Sequence, residues 1–381
     1  ASTLEADFVL SQYCLFGYID LSGRCECRNA LEGGFRMKNS NGLKVVIASA
    51  AHRAHYVEWF KTALRTEGIH GEVIAFEYRR TAPTLSLADR GVVMPAYNSP
   101  EYREEVLNWV RKETPDLFVS VNDYELQVLA SGLAEELSRV GCTVAALDAD
   151  AQNIVLDKHL MAARLRDRGL PTPATWLGSE ADVAQESNSG GGFIVKHRFG
   201  SGSDGLRIAT GETLQEMVIE SAKTAKDAGG RPTTHGEDAV IIQTLLPGAE
   251  FGVDGVFSLA GTGRLNGALA RRKDRMRGGD TDVATTVAAN RFTQALVELG
   301  ELLKPVGPID VDFKEDAEGS PNIIDINPRF GGGYPFCHLA GADVPAYLVR
   351  ELAGLADAPT LLDYEVGVTT ARRDEFSVLR R

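Results

Sequence analysis

In the stretch GPIDVDFKEDAEGSPNIIDINPRFGGG, residues 307–333, carboxylates and an amide recur with the alternation of β-strands. Asp310 and Asp312 share one face of a first strand, and Asp325 and Asn327 share one face of a second. The acidic segment 315–320 between them reads as a hairpin turn with solvated carboxylates. A short hairpin brings Asp312, Asp325 and Asn327 together, with Arg329 adjacent. Three oxygen ligands beside an arginine are what a hard dication bridging nucleotide phosphates requires. Asp325 interrupts an Ile-Ile-Asp-Ile run, so its carboxylate is either buried at a cost or paired with a cation.

More groups of this kind lie upstream. Phe193-Ile-Val-Lys196 reads as a strand ending in a cation, and Gly200, Gly202 and Gly205 follow with the spacing G-x-G-x-x-G. A dinucleotide fingerprint opens a helix. Here a β-type run, 206–209, follows instead. The segment therefore predicts a glycine-rich hairpin whose N–H groups fold over phosphates, with Lys196 in reach of them. Gln243 and Glu250 fall at strand ends and suit an adenine edge and ribose hydroxyls. Arg271-Arg272-Lys273 reads as the close of a strand beginning at 264, with a mobile glycine segment, 278–281, after it. His52 and Arg53, just past the first strand, suit an anionic substrate group or the cap of the first helix. His338 could orient or deprotonate an amine, or simply pack.

The elements that position these groups fall into modules. Strands are expected near 43–50, 71–76, 92–94, 116–121 and 143–147, with helices over 55–67, 100–114 and 124–140 between them. Such alternation means a parallel sheet covered on both faces. Ligands of such sheets sit at the carboxyl ends of strands, here 49–53 and 121–123. A helix over 157–169 and the stiff Leu170-Pro-Thr-Pro173 lead into a second module. Residues 1–42 form an atypical leader with Cys14, Cys25 and Cys27. It reads as a packed extension, as a Cys-x-Cys metal pair, or as a fused peptide recognition arm. Five cysteines suit a reducing cytoplasm. A net charge of −13 argues against generic nucleic-acid or anionic-membrane binding, and no apolar run is long enough for a transmembrane helix.

In this order the motifs are similar to those of the ATP-grasp superfamily, in the branch like the carbamoyl-phosphate synthase large subunit. The resemblance covers about residues 43–355. It implies a mixed α/β and α+β chain, an ATP-grasp fold with an N-terminal Rossmann-like pre-ATP-grasp domain. The expected divisions are a leader (1–42), the pre-ATP-grasp domain (43–150), a lid region (151–242), a nucleotide- and metal-binding domain (243–355) and a C-terminal segment (356–381). By the same resemblance, Lys158 and Lys196 are the phosphate and adenine-side lysines. Gly200, Ser201, Gly202 and Ser203 belong to the phosphate-covering loop. Gln243 and Leu245 form the adenine hinge, and Glu250 meets the ribose. Asp312, Asp325 and Asn327 are the magnesium ligands. Arg329 stabilises the transferring phosphoryl group, with Arg271 or Arg272 assisting. His52, Arg53, Gly332, Gly333 and His338 shape the substrate pocket. Aspartate at 312 and 325 departs from the family's usual longer acids, and Gln243 from a frequent Glu.

The implied cofactors are ATP and Mg²⁺, with Mn²⁺ as a substitute. The implied reaction activates a carboxylate as an acyl phosphate and joins it to an amine, on an amino acid or small peptide in specialised metabolism. Partners are small molecules, with no nucleic acid and no membrane, and a homodimer is compatible with the resemblance. The rival readings are a bicarbonate-activating carbamoyl-phosphate-type enzyme and a nucleotide-binding regulator without turnover.

Overall fold

The computed structural model describes residues 42–51, 53–200, 202, 205–376 and 378–379. The expected leader therefore lies outside the described residues, apart from Gly42. In chain order the strands are β1 (Leu43–Ala48), β2 (Gly71–Glu77), β3 (Arg90–Val93), β4 (Leu117–Ser120) and β5 (Thr143–Ala145). Next come β6 (Thr175–Leu177), β7 (Phe193–His197), β8 (Arg207–Ala209) and β9 (Val240–Thr244). The last are β10 (Glu250–Phe257), β11 (Leu265–Arg277), β12 (Asp280–Val287), β13 (Pro308–Glu315), β14 (Pro321–Asn327) and β15 (Thr369–Ala371).

The first five strands make a parallel sheet of order β3-β2-β1-β4-β5. The apolar run of β1 explains its central place, because a parallel strand covered by helices is buried on both faces. Val45 and Ile47 face a core shared with the helices His55–Thr66 and Val344–Leu352. Val46 and Ala48 face the opposite core, with Val106 and Val110 of the helix Tyr102–Glu113. The helix expected over 124–140 is broken: Gly132 takes φ of 102° between Asp123–Val128 and Ala134–Arg139.

A four-stranded sheet of order β6-β9-β7-β8 follows. Phe193 and Val195 of β7 and Val240 and Ile242 of β9 pack on Ala184, Leu214 and Val218 from two helices. Alternation turns Ile194, Lys196, Ile241 and Gln243 to the other face. The third sheet, β14-β13-β10-β11-β12-β15, is antiparallel. Val253 of β10, Ala270 of β11, Val311 and Phe313 of β13 and Ile326 of β14 cover Phe292, Leu296 and Leu299 of the helix Asn290–Leu303. The other face carries the charged groups.

One stretch of this sheet corrects the sequence reading. The strand expected to close at Lys273 runs on to Arg277, and the glycine segment is a hairpin turn into β12. The basic run stays in the sheet because Arg271 and Lys273 point to a face where carboxylates meet them. The C-terminal residues Thr369–Ala371 pair with β12 and so extend the same sheet. Among the described residues, no helix is long and apolar enough to cross a membrane.

Candidate active site

The hairpin of β13 and β14 places Asp312 directly opposite Asp325, and Asp310 opposite Asn327. All four project from the charged face. The register slips once, between Asp312 and Phe313, and leaves Ile324 without a partner. This is a β-bulge, which frees a backbone group. The Ile324 carbonyl accepts a hydrogen bond from Lys196 Nζ at 3.0 Å. The bulge thus ties the metal-ligand candidates to the facing four-stranded sheet.

Three lysines converge here. Lys158 opens the helix Lys158–Asp167, and its Nζ lies 2.6 Å from Asp325 Oδ1. Asp157 caps that helix and also holds Arg198, just past β7, through two bonds of 2.8 and 2.6 Å. Lys273 sits 2.7 Å from Asp312 and 3.0 Å from Glu250. Burial brings the Lys196 ammonium down to about 8, although Asp325 pulls the other way. Burial pushes the Asp312 carboxyl up to about 6 against the pull of Lys273. At Asp325 burial works in the same direction, but Lys158 and Lys196 outweigh it and hold the carboxyl below its usual range.

These residues suit magnesium. Two opposed carboxylates and an amide are hard oxygen donors, and this ion takes one or two carboxylates and completes its shell with phosphates and water. Among the described residues, no group of three His, Cys, Asp or Glu side chains forms a cage of its own.

Arg329 is buried and grips Asp123, past the end of β4, through bonds of 2.6 and 3.0 Å. Its Nη2 lies 3.4 Å from Asn327 Oδ1. Burial alone would raise the Asp123 carboxyl, but Arg329, Arg53 and Lys158 hold it low. Arg53 donates to the Val121 carbonyl at 3.0 Å, also past β4.

Arg271 and Arg272 part company. Arg271 is fully enclosed, bonded to Asp254 and, at 2.6 Å, to Asp310. Arg272 faces the other way, exposed and paired with Asp274 at 2.7 Å. Neither is free to assist Arg329 as expected, because strand alternation sends one into a closed ion triad and the other to solvent. Gly333 serves that triad: a Cβ there would stand 2.1 Å from Arg271 Nε. Gly332 lines the substrate-side cavity described below, and a Cβ there would meet Asp280 Oδ1 at 3.5 Å and Arg53 Nη2 at 3.7 Å, ordinary contacts.

The remaining expected residues are placed as follows. Gln243 is buried and donates to Thr175 Oγ1 at 3.0 Å. The Leu245 N–H donates to the Gly192 carbonyl at 2.9 Å. Glu250 lies between Lys273 and Lys314. Gly200, Gly202 and Gly205 all have positive φ in the turn between β7 and β8, so the segment is a hairpin turn. A Cβ on Gly279, in the β11–β12 turn, would stand 2.3 Å from the Gly202 carbonyl, so the two turns meet. His338 stacks on Trp59 at 3.8 Å and its Nδ1 lies 3.0 Å from the Tyr334 hydroxyl, which is a packing role. His52, Ser201 and Ser203 lie outside the described residues.

A small cavity lies between Asp123, Lys158, Gly200 and Asn327. A far larger one, about 1770 Å³, opens at the carboxyl ends of β1, β2 and β4. Arg53, His55, Trp59, Glu77, Asn122 and Glu125 are among its walls.

Residues 237–372 match the family model described as ATP-grasp in the biosynthetic pathway with Ter operon. Residues 45–145 match the PylC-like, N-terminal domain. The chain is similar in structure to the biotin carboxylase domain of 2-oxoglutarate carboxylase from Hydrogenobacter thermophilus, solved with MgADP, ADP and bicarbonate. That pair is 16% identical with a TM-score of 0.65, covering 87% of this chain and 74% of the other. It is also similar to an L-amino acid ligase from Bacillus licheniformis (15% identical, TM-score 0.61, 86% and 78% covered). A third similar structure is N5-carboxyaminoimidazole ribonucleotide synthetase from Thermotoga maritima (14% identical, TM-score 0.59, 84% and 78% covered). This chain has the ATP-grasp fold. No curated protein sequence matches it.

Within the ATP-grasp frame, sequence reasoning gave no role to Lys273, Asp123 or Asp254. Lys273 had a signal, since it lies two positions from Arg271 and hence on the same face. Asp123 had one too, at the carboxyl end of β4. Asp254, inside Gly-Val-Asp-Gly-Val, carried only the oddity of a charge in an apolar strand.

Proposed function

We propose that this chain is an ATP-dependent carboxylate–amine ligase, acting on an amino acid or small peptide. The observation that carries the reading is the convergence of Lys158, Lys196 and Lys273 on the opposed pair Asp312 and Asp325, beside Arg329. A carboxylate and a nucleotide phosphate repel each other, so a site that joins them must supply cations to both.

Lys158 and Lys196 are the side chains to grip the nucleotide phosphates. Arg329 stands over the phosphoryl group, held by Asp123 in one orientation. Arg53 receives the donor carboxylate from the side of the large cavity. Asp312, Asp325 and Asn327 would hold Mg²⁺, which when bound neutralises phosphate charge. The turn carrying Gly200 and Gly202 covers the cleft and keeps water from the acyl phosphate. The donor carboxylate oxygen takes the γ-phosphoryl group and ADP leaves; an amine then attacks the acyl carbon, loses a proton and displaces phosphate as the amide forms. Gln243 and Leu245 stand where an adenine edge would be read, with Glu250 for the ribose.

A bicarbonate donor would fill little of the 1770 Å³ cavity, which favours a larger acid. The test is ADP release over a panel of amino acids and dipeptides with Mg²⁺. ADP formation that depends on both an acid and an amine is the expected result. Nucleotide binding without turnover on any pair would instead mark a regulator.

A further inference from the structure

Among the described residues, the walls of the large cavity carry charge of both signs, at separate places, with no ion-pair partner within 4.0 Å. At one place is Arg53. It sits where the parallel sheet changes direction, in the loop after β1, and bonds the Val121 carbonyl after β4. Among the described residues no carboxylate lies within 4.0 Å of it. Burial and the neighbouring Arg329 work against its charge and outweigh Tyr56, Asp123 and Asp280, which favour it from further off. An anion placed there would relieve it, and such a crevice is where ligands of open parallel sheets bind.

The other place is the floor at Glu77 and Glu125. Glu77 ends β2 and is 4% exposed, and Glu125 is 2% exposed. Among the described residues, every hydrogen bond to them comes from a neutral group. Thr84 Oγ1 donates to Glu77 at 2.7 Å, with the backbone of Ala50 and Ala51 nearby. Ser120 Oγ donates to Glu125 at 2.5 Å, joined by the Tyr102 hydroxyl and Ser49. Among the described residues neither carboxylate has a Lys, Arg or His within 4.0 Å. Burial raises both, and Glu125 adds to the effect at Glu77. The other buried carboxylates among the described residues are matched by a cation: Asp254 and Asp310 by Arg271, Asp282 by Arg275. Among the described residues the match is missing here, and the cavity is open to supply it.

We infer that the donor acid is a zwitterion, an amino acid or short peptide, bound with its carboxylate at Arg53 and its ammonium at Glu77 and Glu125. The inference rests on the ligase reading for the role of the carboxylate, and it adds that the far end must be cationic. The cavity exceeds the usual size for a drug-sized ligand, roughly 300–1,000 Å³, so a peptide suits it better than a single residue. His55 lines the same cavity, and its buried Nε2 has no hydrogen-bond partner among the described residues, which leaves one more polar group for the ligand to satisfy.

The test uses a set of Gly-X dipeptides with free termini, and the same set N-acetylated or C-amidated. Affinity for the full chain is read by calorimetry. Free dipeptides are expected to bind, and either block should weaken binding by about tenfold or more, the equivalent of one lost charge-assisted contact. Glu77→Gln should remove the preference over the N-acetylated form while MgATP still raises the melting temperature. Glu125 anchors Tyr102 and Ser120, so Glu125→Gln is the riskier variant, and the comparison of blocked ligands on the unaltered chain stands without it. Equal binding of free and N-acetylated peptides overturns the inference, and so does binding of none. ADP release separates the two proposals. Turnover with an N-acetylated donor keeps the ligase and removes the zwitterion; zwitterion binding with no ADP release does the reverse.

Discussion

Along one face of the six-stranded sheet, buried charge is handled in two ways. Around Arg271 it is closed. The guanidinium has a carboxylate on either side, Asp254 and Asp310, and the backbone of Gly252 and Gly333 pressed against it. One residue pair further along it is open. Lys158 and Lys273 hold one or two carboxylates each at the cleft, and among the described residues Lys196 bonds only a backbone carbonyl. An arginine keeps its charge and its planar fork, which suits a permanent clamp. A lysine on a flexible stem can leave a carboxylate for a phosphate. The difference teaches that cationic residues on this face do not mark chemistry by themselves. Unmatched or exchangeable charge does.

The largest expected effect is a test of the closed end. Arg271→Met leaves Asp254 and Asp310 buried together without their cation. Removing one partner of such a group costs about 3–5 kcal/mol. Guanidinium chloride unfolding should show that loss. Gly333→Ala should also destabilise, since its Cβ would stand 2.1 Å from Arg271 Nε. A stable Arg271→Met protein that had lost only turnover would erase the distinction drawn above.

The open end should respond in the opposite sense. Asn327→Ala should fold normally and lose Mg²⁺-dependent ADP release. Lys196→Met should weaken ADP binding by about 10–150-fold, since a hydrogen bond to a charged group is worth about 1.5–3 kcal/mol. Titration calorimetry reads the second, and a coupled assay with and without EDTA reads the first. Near-normal nucleotide affinity in Lys196→Met would remove that lysine from the phosphate site.

How much of this was legible from sequence follows the same division. Strand alternation was enough to bring Asp312, Asp325 and Asn327 to one face, because a period of two needs no knowledge of neighbours. It could not show which strand lay beside β13. Asp254 and Arg271 come from β10 and β11, and only the register Gly252 to Asp312 and to Arg271 sets the triad. Local propensity misled at Arg271–Arg277, where a basic run looked like a strand end. Tertiary pairing with β12 and with the carboxylates overrode it. The parallel module was clear in its elements, and its strand ends pointed to Arg53 and Asp123. The buried pair of Glu77 and Glu125 was not visible, since nothing in their local sequence separates them from surface acids.

A smaller effect should appear with pH. Burial lowers the Lys196 ammonium to about 8, so the site holds this cation below that value and loses it as pH rises through it. If the charged form is the one that binds phosphate, ADP affinity should fall by about tenfold between roughly pH 7 and roughly pH 9. Lys196→Arg stays charged throughout and should flatten the profile. A wild-type profile already flat over that range would place the nucleotide contact on Lys158 instead.

The smallest effect expected is at Arg272, the neighbour of the residue with the largest. Its side chain is exposed and pairs with Asp274 across two positions of the same strand. Exposed pairs contribute about 0–1 kcal/mol, and surface substitutions usually stay within about 0.5 kcal/mol. Arg272→Ala should therefore unfold at nearly the same denaturant concentration and turn over at the wild-type rate. The contrast with Arg271→Met tests strand alternation directly, because the two residues share composition, sequence neighbourhood and charge. A substantial loss of activity in Arg272→Ala would mean that this part of β11 turns over when substrate binds, and the assignment of faces would have to be reversed.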